Sequence, residues 1–561
     1  MRKVQKTIAY FLPIYLVLTG SLFCIKLQAQ EQQGDTLKPI SNFRKWYQNI
    51  LHTPYDGPKN KLRIPMAVGY TNFDDNIRDL QLLGKLQPEQ SLTQRPFILT
   101  SKLSYDSLLA MIDPEFENHG HLLQKKFSDI QLLPFNYLQK FNSTRPYGWN
   151  DGPLSFSKGY QFVGSGGVYF RLGNIHLTLR PEYFKTASDK YEIAGWGQQT
   201  PSISKFILGQ SSLRMDIGPL SLGASSENIW LGPSIFSSLI MSNNAQGFNH
   251  YKISTNRPLK TPIGSLEFNV IGGTLTSNTK SGFENKFLKT SGIDPYTRYL
   301  NIISITYNPI FSKNVFLGIN RAFQQPTQNN PSSKLSNYYL IGLKPLYRNQ
   351  YEDNAQYIDQ LLSGFAKFLF PKENAEIYFE YGWNDGSSNF RDLVLDMSHS
   401  AASIFGLKKI QYLNNGTYLS IEVEATQMSQ RPTYLYRNAG NWYEHAQLRD
   451  GYTNENQILG AGSGIGNNLQ TIAFSWNKNW QKYGIKFNHI AMNPWYNINL
   501  FATDGGAAIW HDFSYGILLK QKYKNILFNI NVDYLHSKNY LNQVDNKKSN
   551  LYFFINTIYL W

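Results

Sequence analysis

The chain has 561 residues and a net charge of +15, from 54 Lys and Arg against 39 Asp and Glu. It is 42% hydrophobic and 15% aromatic but only 17% charged, where about 25% charge is usual. The aromatic content excludes a disordered chain. The mean hydropathy of −0.38 and the absence of repeated long apolar runs exclude a polytopic helical membrane protein, and a single cysteine excludes a disulfide framework.

Arg2, Lys3 and Lys6 precede an apolar stretch from Ile8 to Phe23, and Leu27-Gln28-Ala29 follows. This is the three-part pattern of a secretory signal peptide over residues 1–29. A membrane anchor fits less well, because Pro13 and Lys26 interrupt the run, and a lipid-modified Cys24 would need a small residue where Phe23 stands. Cleavage after Ala29 removes four basic residues and the only cysteine, leaving an exported chain of charge +11.

Residues 30–145 read as a small helical region whose apolar stripes form its own core. Helices are predicted over Asn42 to Leu51, over Asp75 to Leu86, from Tyr105 to Ile112 and around Leu122, Leu123 and Phe127. Ser104 is placed to cap the third and Pro114 to end it.

From residue 146 to 561 the chain becomes a succession of alternating segments separated by Gly, Asn, Asp and Lys. Leu419, Ile421, Val423 and Ala425 share one face, with Ser420, Glu422, Glu424 and Thr426 opposite; Ile526 to Tyr534, Glu376 to Tyr381 and Leu213 to Ile217 repeat the pattern. Period-two alternation places one residue set on each face of a strand. Charges in mid-strand on the polar face point to a hydrated lumen, and aromatics such as Trp476, Trp480 and Tyr552 read as interfacial girdles. The terminal run Leu551 to Trp561, ending on an aromatic, resembles the insertion signal of bacterial outer-membrane barrels. At roughly 22–26 residues per strand and connection, the 416 residues after 145 give about 16 or 18 strands. The predicted fold is all-β: a large transmembrane antiparallel barrel preceded by a small helical domain.

Catalytic motifs are missing. The sequence holds no zinc helix, P-loop or nucleophile elbow, so no cofactor, no metal and no enzymatic activity are expected. Gly460 to Gly466 lacks dinucleotide-binding spacing and reads as a turn or bulge. His119 and His121 are too few to hold a metal. Glu422 and Glu424 have the spacing of paired catalytic carboxylates, but a lumen charge pair balanced by Arg and Lys is the simpler reading. Dispersed basic residues in an exported chain exclude nucleic acid and leave an anionic partner at the cell surface, such as an acidic polysaccharide or lipopolysaccharide phosphate. Tyr147-Gly-Trp-Asn-Asp-Gly152 recurs at Tyr381-Gly-Trp-Asn-Asp-Gly386. It combines turn chemistry with rings that can lie against sugars.

Arg145 to Pro153, Arg180-Pro-Glu182, Ser226 to Pro233, Ser238 to Phe248, Asn256 to Gly264, Phe390-Arg-Asp392, His445, Arg449 to Tyr452 and Leu459 to Gly464 resemble the capsule-assembly Wzi family of Gram-negative outer-membrane proteins. The resemblance implies an 18-stranded barrel with a helical bundle at its periplasmic mouth. It also implies a lectin-like role in holding capsular or exopolysaccharide at the cell surface. Expected partners are the polysaccharide, outer-membrane lipid and lipopolysaccharide, and the outer-membrane insertion machinery. Candidate polymer contacts are Trp149, Asn150 and Asp151, with Glu227, Asn228 and Trp230; Arg257 and Lys260 are candidates for uronate or phosphate. A porin or substrate channel is the alternative.

Overall fold

The computed structural model describes residues 73–86, 91–98, 104–125, 127–187, 189–193, 196–200, 202–277, 297–327, 358–384, 398–430, 441–445, 448, 450–494 and 508–561. The signal sequence, its cleavage site and the expected Asn42–Leu51 helix lie outside them. So do Asp385 and Gly386 of the second Tyr-Gly-Trp-Asn-Asp-Gly motif. Of the chain's two compact units, 1–55 and 56–561, the second holds every described residue.

Eighteen antiparallel strands form the barrel. They are β1 Ser128–Asn142, β2 Gly159–Leu172, β3 in two segments (Ile175–Leu179 and Glu182–Lys185), β4 in two segments (Ser204–Ile207 and Ser212–Ile217), β5 Leu220–Ser225 and β6 His250–Thr255. Next come β7 Gly264–Thr276, β8 Thr297–Pro309, β9 Val315–Pro326, β10 Asp359–Phe370, β11 Ala375–Asn384 and β12 Ala401–Tyr412. The last six are β13 Thr417–Gln427, β14 Asn468–Lys478, β15 Gln481–Ala491, β16 His511–Tyr523, β17 Ile526–Lys538 and β18 Lys547–Tyr559. Each pairs with its sequence neighbour, and β18 closes the barrel on β1, from Tyr552↔Asn142 to Tyr559↔Phe135.

The two ends of the barrel differ. Tight connections at Gly173, Gly218 and Lys524 mark a turn end, and long connections such as 226–249 and 428–467 mark a loop end. In bacterial outer-membrane barrels the short turns face the periplasm and the long loops face outward. The chain end lies at the turn end, where the His119 amide donates to the carbonyl of Trp561 at 3.0 Å.

The alternation maps onto the two barrel faces. Along β13, Ser420, Glu422 and Glu424 are buried inside, and Leu419 is exposed outside. Phe474, Ile485, Ile517 and Tyr534 continue the exposed apolar exterior, as a lipid-facing wall requires.

Four expectations are corrected. The barrel begins at Ser128, not after residue 145, because Pro134 and a bulge between Leu133 and Asn136 break the alternation of β1. The expected helix around Leu122 is instead the short strand His121–Gln124 paired with β1. The rings of Trp480 and Tyr552 are buried inside rather than placed in a girdle. The interior is packed, not broadly hydrated: the 226–248 segment and the described residues of 441–461 fold inward, and Leu231, Leu239, Met241, Trp442, Tyr443 and Tyr452 make one core with the wall residues Ile271, Leu300, Leu361 and Ile404.

Candidate functional site

Among the described residues, two helices precede the barrel: α1 Phe73–Leu82 and α2 Tyr105–Ile112. Ser104 caps α2 by accepting from the Ser107 amide at 3.0 Å, and Tyr105, Leu108, Leu109 and Ile112 are buried as their spacing requires. On α1, Arg78 Nε meets Glu376 at 2.6 Å, and Asp79 meets Lys408 at 2.5 Å. Lys408 also meets Glu422 at 2.9 Å, and the Tyr418 hydroxyl donates to Asp79 at 2.8 Å. Leu82 packs with Phe316, Leu369 and Ile410 near the turn end. Charge pairing and apolar contact thus dock α1 against the inner wall. The 91–98 segment follows it inside: Gln94–Arg95 pairs with Trp230–Leu231, and the Ser91 hydroxyl donates to Glu267 at 2.8 Å.

Beside α1 lies a cavity of about 300 Å³. Asp74, Asp75, Trp480 and Lys520 line it toward the turn end, and Trp149, Asn150, Phe236 and Tyr552 toward the loop end. Trp230 and the wall residues Lys482, Lys486, Asn488, Asn531 and Asp533 complete its sides. Arg95 lies over the Trp230 ring at 4.4 Å, and Phe73 packs on Trp480 at 5.5 Å. Asn150 Oδ1, Trp230 Nε1, Trp480 Nε1 and Asn531 Oδ1 are among the buried polar atoms of this lining that have no hydrogen-bond partner among the described residues. Burial, with a smaller contribution from neighbouring Asp75, raises the Asp74 carboxyl to about 6 against the pull of Arg95. Burial likewise lowers Arg95 to about 10.

The loop-end wall of the cavity is a tight turn. Gly148, Asn150 and Gly152 all have positive φ, of 95°, 61° and 66°. A Cβ at Gly148 would strike the Tyr552 ring at 2.6 Å, which is why glycine stands there. Asp151 holds the turn from beneath: Lys140 Nζ lies 2.5 Å from its carboxylate, and both side chains are almost fully buried. The Asn150 side chain donates to the Phe236 carbonyl at 2.8 Å.

Of the eight candidate residues, Trp149, Asn150 and Trp230 therefore share one cavity. Asp151 is buried in its pair with Lys140. Glu227 is buried with Lys252 at 2.9 Å. Asn228 is enclosed, donating to the Ala245 carbonyl at 2.7 Å and accepting from Gln210 at 2.8 Å. Arg257 and Lys260 lie beside the Ile263–Gly264 turn, at the opposite end of the barrel from Trp149. Trp480, Lys520 and Asn531 were not singled out as contacts. A turn tryptophan reads as a girdle residue, and nothing local tells whether its ring points in or out.

Glu422 and Glu424 do not form an acid–base pair. Lys408 holds Glu422, and Glu424 accepts from the amides of Ile235 and Phe236, at 2.8 and 3.1 Å, and from the Tyr378 hydroxyl at 2.7 Å. Among the described residues no three His, Cys, Asp or Glu are grouped to hold a metal. Gly460 and Gly462 sit where a Cβ would meet Tyr443 and the side chains of Asn244 and Trp149, so these glycines serve close packing.

A protein-family model described as capsule assembly protein Wzi matches residues 144–481. Among solved structures, the chain is similar to Wzi of Escherichia coli, described as a carbohydrate-binding β-barrel involved in group 1 capsule assembly. The TM-score is 0.60 at 14% identity, over 89% of this chain and 100% of that one, a likeness of fold. OprD and OpdQ of Pseudomonas aeruginosa match at TM-scores of 0.36 and 0.39, each at 8% identity, over 79% and 78% of this chain and 96% and 98% of theirs. No curated protein matches in sequence.

Proposed function

The chain belongs to the Wzi capsule-assembly family of outer-membrane β-barrels, and from that premise we propose that it binds capsular or exopolysaccharide and holds it at the cell surface without turnover. The observation that carries this reading is the cavity, where the indoles of Trp149, Trp230 and Trp480 stand among amide and ammonium groups. Aromatic faces beside hydrogen-bonding groups suit a pyranose, which is apolar on its C–H faces and polar around its rim. Trp149 and Asn150 would meet sugar units entering from the loop end, and Trp230 a unit seated deeper. Weak contacts suffice, because each bound unit tethers its neighbours on the polymer. Residues 1–29 would direct export and be removed. The packed interior, with α1 fixed by Glu376 and Lys408, counts against an open diffusion channel.

The test is binding of native capsule or exopolysaccharide by the refolded chain, with Trp149→Ala and Trp230→Ala. Binding that weakens in both variants supports the reading; unchanged binding removes these residues from it. A deletion strain should release polymer into the medium while synthesis continues. Conductance by the wild-type chain in liposomes, with no glycan binding, would favour the channel.

A further inference from the structure

On the outer wall of β14 to β18 the apolar band includes Ile472, Phe474, Ile485, Tyr515, Ile517, Tyr534 and Leu551, all exposed. Toward the loop end it gives way to a polar row across five adjacent strands: Gln470, His489, His511, Lys538 and Lys547. Gln470 pairs with His489, His511 with Lys538, and Lys538 with Lys547. The row shares the outward face with the exposed residues below it, since His489, His511, Lys538 and Lys547 lie an even number of positions from Ile485, Tyr515, Tyr534 and Leu551.

The row is internally ordered. His489 Nδ1 lies 2.6 Å from Gln470 Oε1, and His489 Nε2 lies 3.0 Å from His511 Nδ1, with the two rings stacked. An amide oxygen only accepts, so His489 donates from Nδ1 and accepts at Nε2 from His511. That leaves His511 Nε2 at the end of the chain. Lys538 and Lys547 stand directly opposite each other, both exposed, and neither forms an ion pair among the described residues. Like charges in that position destabilise a strand pair. The nearby acids do not neutralise them: Asp512 faces inward to Arg145 at 2.7 Å, Asp533 is buried inside, and exposed Asp545 in the connecting hairpin pairs with neither lysine.

We propose that this outward row binds the phosphate of an outer-leaflet glycolipid, with Lys538 and Lys547 bridged by the anion and the acyl chains lying on Tyr515, Tyr534 and Leu551. The side-wall position selects a lipid. An anion held here has apolar wall immediately below it, whereas a soluble polymer would approach from the mouth.

The experiment uses the full refolded chain in detergent micelles, titrated with bisphosphorylated lipid A and with its dephosphorylated form. The readout is bound lipid by native mass spectrometry. Wild type should bind the phosphorylated form at least tenfold more tightly. Lys538→Gln with Lys547→Gln should abolish that preference, whereas Lys185→Gln, exposed on β3, should keep it. All three lysines are exposed, and heat-modifiable migration on gels checks that each variant is folded. Equal affinity for the two lipids, or an undiminished preference in the double variant, overturns the proposal. So does tighter binding of a soluble polyuronate or of inorganic phosphate that depends on the same two lysines. Loss of capsule binding by the tryptophan variants with lipid preference intact would separate this site from the polysaccharide reading.

Discussion

Replacing Asp151 by alanine removes the carboxylate that Lys140 meets at 2.5 Å in a site from which water is excluded. Lys140 keeps only the carbonyls of Gly148 and Ser155, each at 3.4 Å. Stranding one partner of a buried ion pair costs about 3–5 kcal/mol, more than a hundredfold in the folding equilibrium at about 1.4 kcal/mol per factor of ten. The loss falls on the turn that presents Trp149 and Asn150, so Asp151→Ala should weaken both stability and polysaccharide binding. Replacing both partners, Lys140→Met with Asp151→Leu, leaves no orphaned charge and should recover most of the stability. Urea unfolding of the micelle-folded chain and glycan binding on the same samples are the assays. If Asp151 only supports the turn, the double variant binds polymer. If it folds but does not bind, Asp151 is itself a contact and the reasoning fails; a cost of Asp151→Ala below about 1 kcal/mol would refute the buried-pair argument directly.

Arg78→Ala removes the ion pair to Glu376 and the hydrogen bonds to the carbonyls of Pro233 and Ser234. It should loosen α1 without opening the strand ladder, raising liposome conductance and protease sensitivity near residue 78; unchanged values would mean other contacts hold α1 against the wall. Asp74, raised to about 6, retains its proton in the folded chain between about pH 4 and 6, where the unfolded chain has lost it. Its stabilising contribution is therefore present at low pH and lost as pH rises through 6, worth up to about 3 kcal/mol. Asp74→Asn should raise stability at pH 7 and flatten its dependence between pH 4 and 7 in urea titrations. Gly460→Ala places a methyl against Tyr443 and the Leu239 carbonyl and should cost about 1–3 kcal/mol by overpacking; a neutral result in thermal unfolding would show that the segment can move aside.

Alternation was legible because it is a local property. A lipid-facing residue followed by an inward one gives Leu419-Ser420-Ile421-Glu422, and the observed burial follows it residue by residue. Helix α2 was legible for the same reason, from its cap and its spacing. β1 was not, because Pro134 and the bulge beside it shift the faces midway. Within the candidate site, aromatic and turn residues pointed to Trp149, Asn150 and Trp230. The same signal selected Asp151, Glu227 and Asn228, whose side chains are used up in internal bonds.

The sequence by itself determined the class of wall: strands with one face for lipid and one for the interior, enough of them to close a wide barrel. Tertiary structure alone decided what fills it. Tyr381-Gly-Trp-Asn384 ends a regular strand, whereas Tyr147-Gly-Trp-Asn150 makes a turn with two residues at positive φ, although the four residues are the same. The difference comes from distant partners, since Tyr552 crowds Gly148 and Lys140 holds the adjacent Asp151. A pattern of period two records which side of a strand faces in, but not which segment will meet it there, because those contacts join residues hundreds of positions apart.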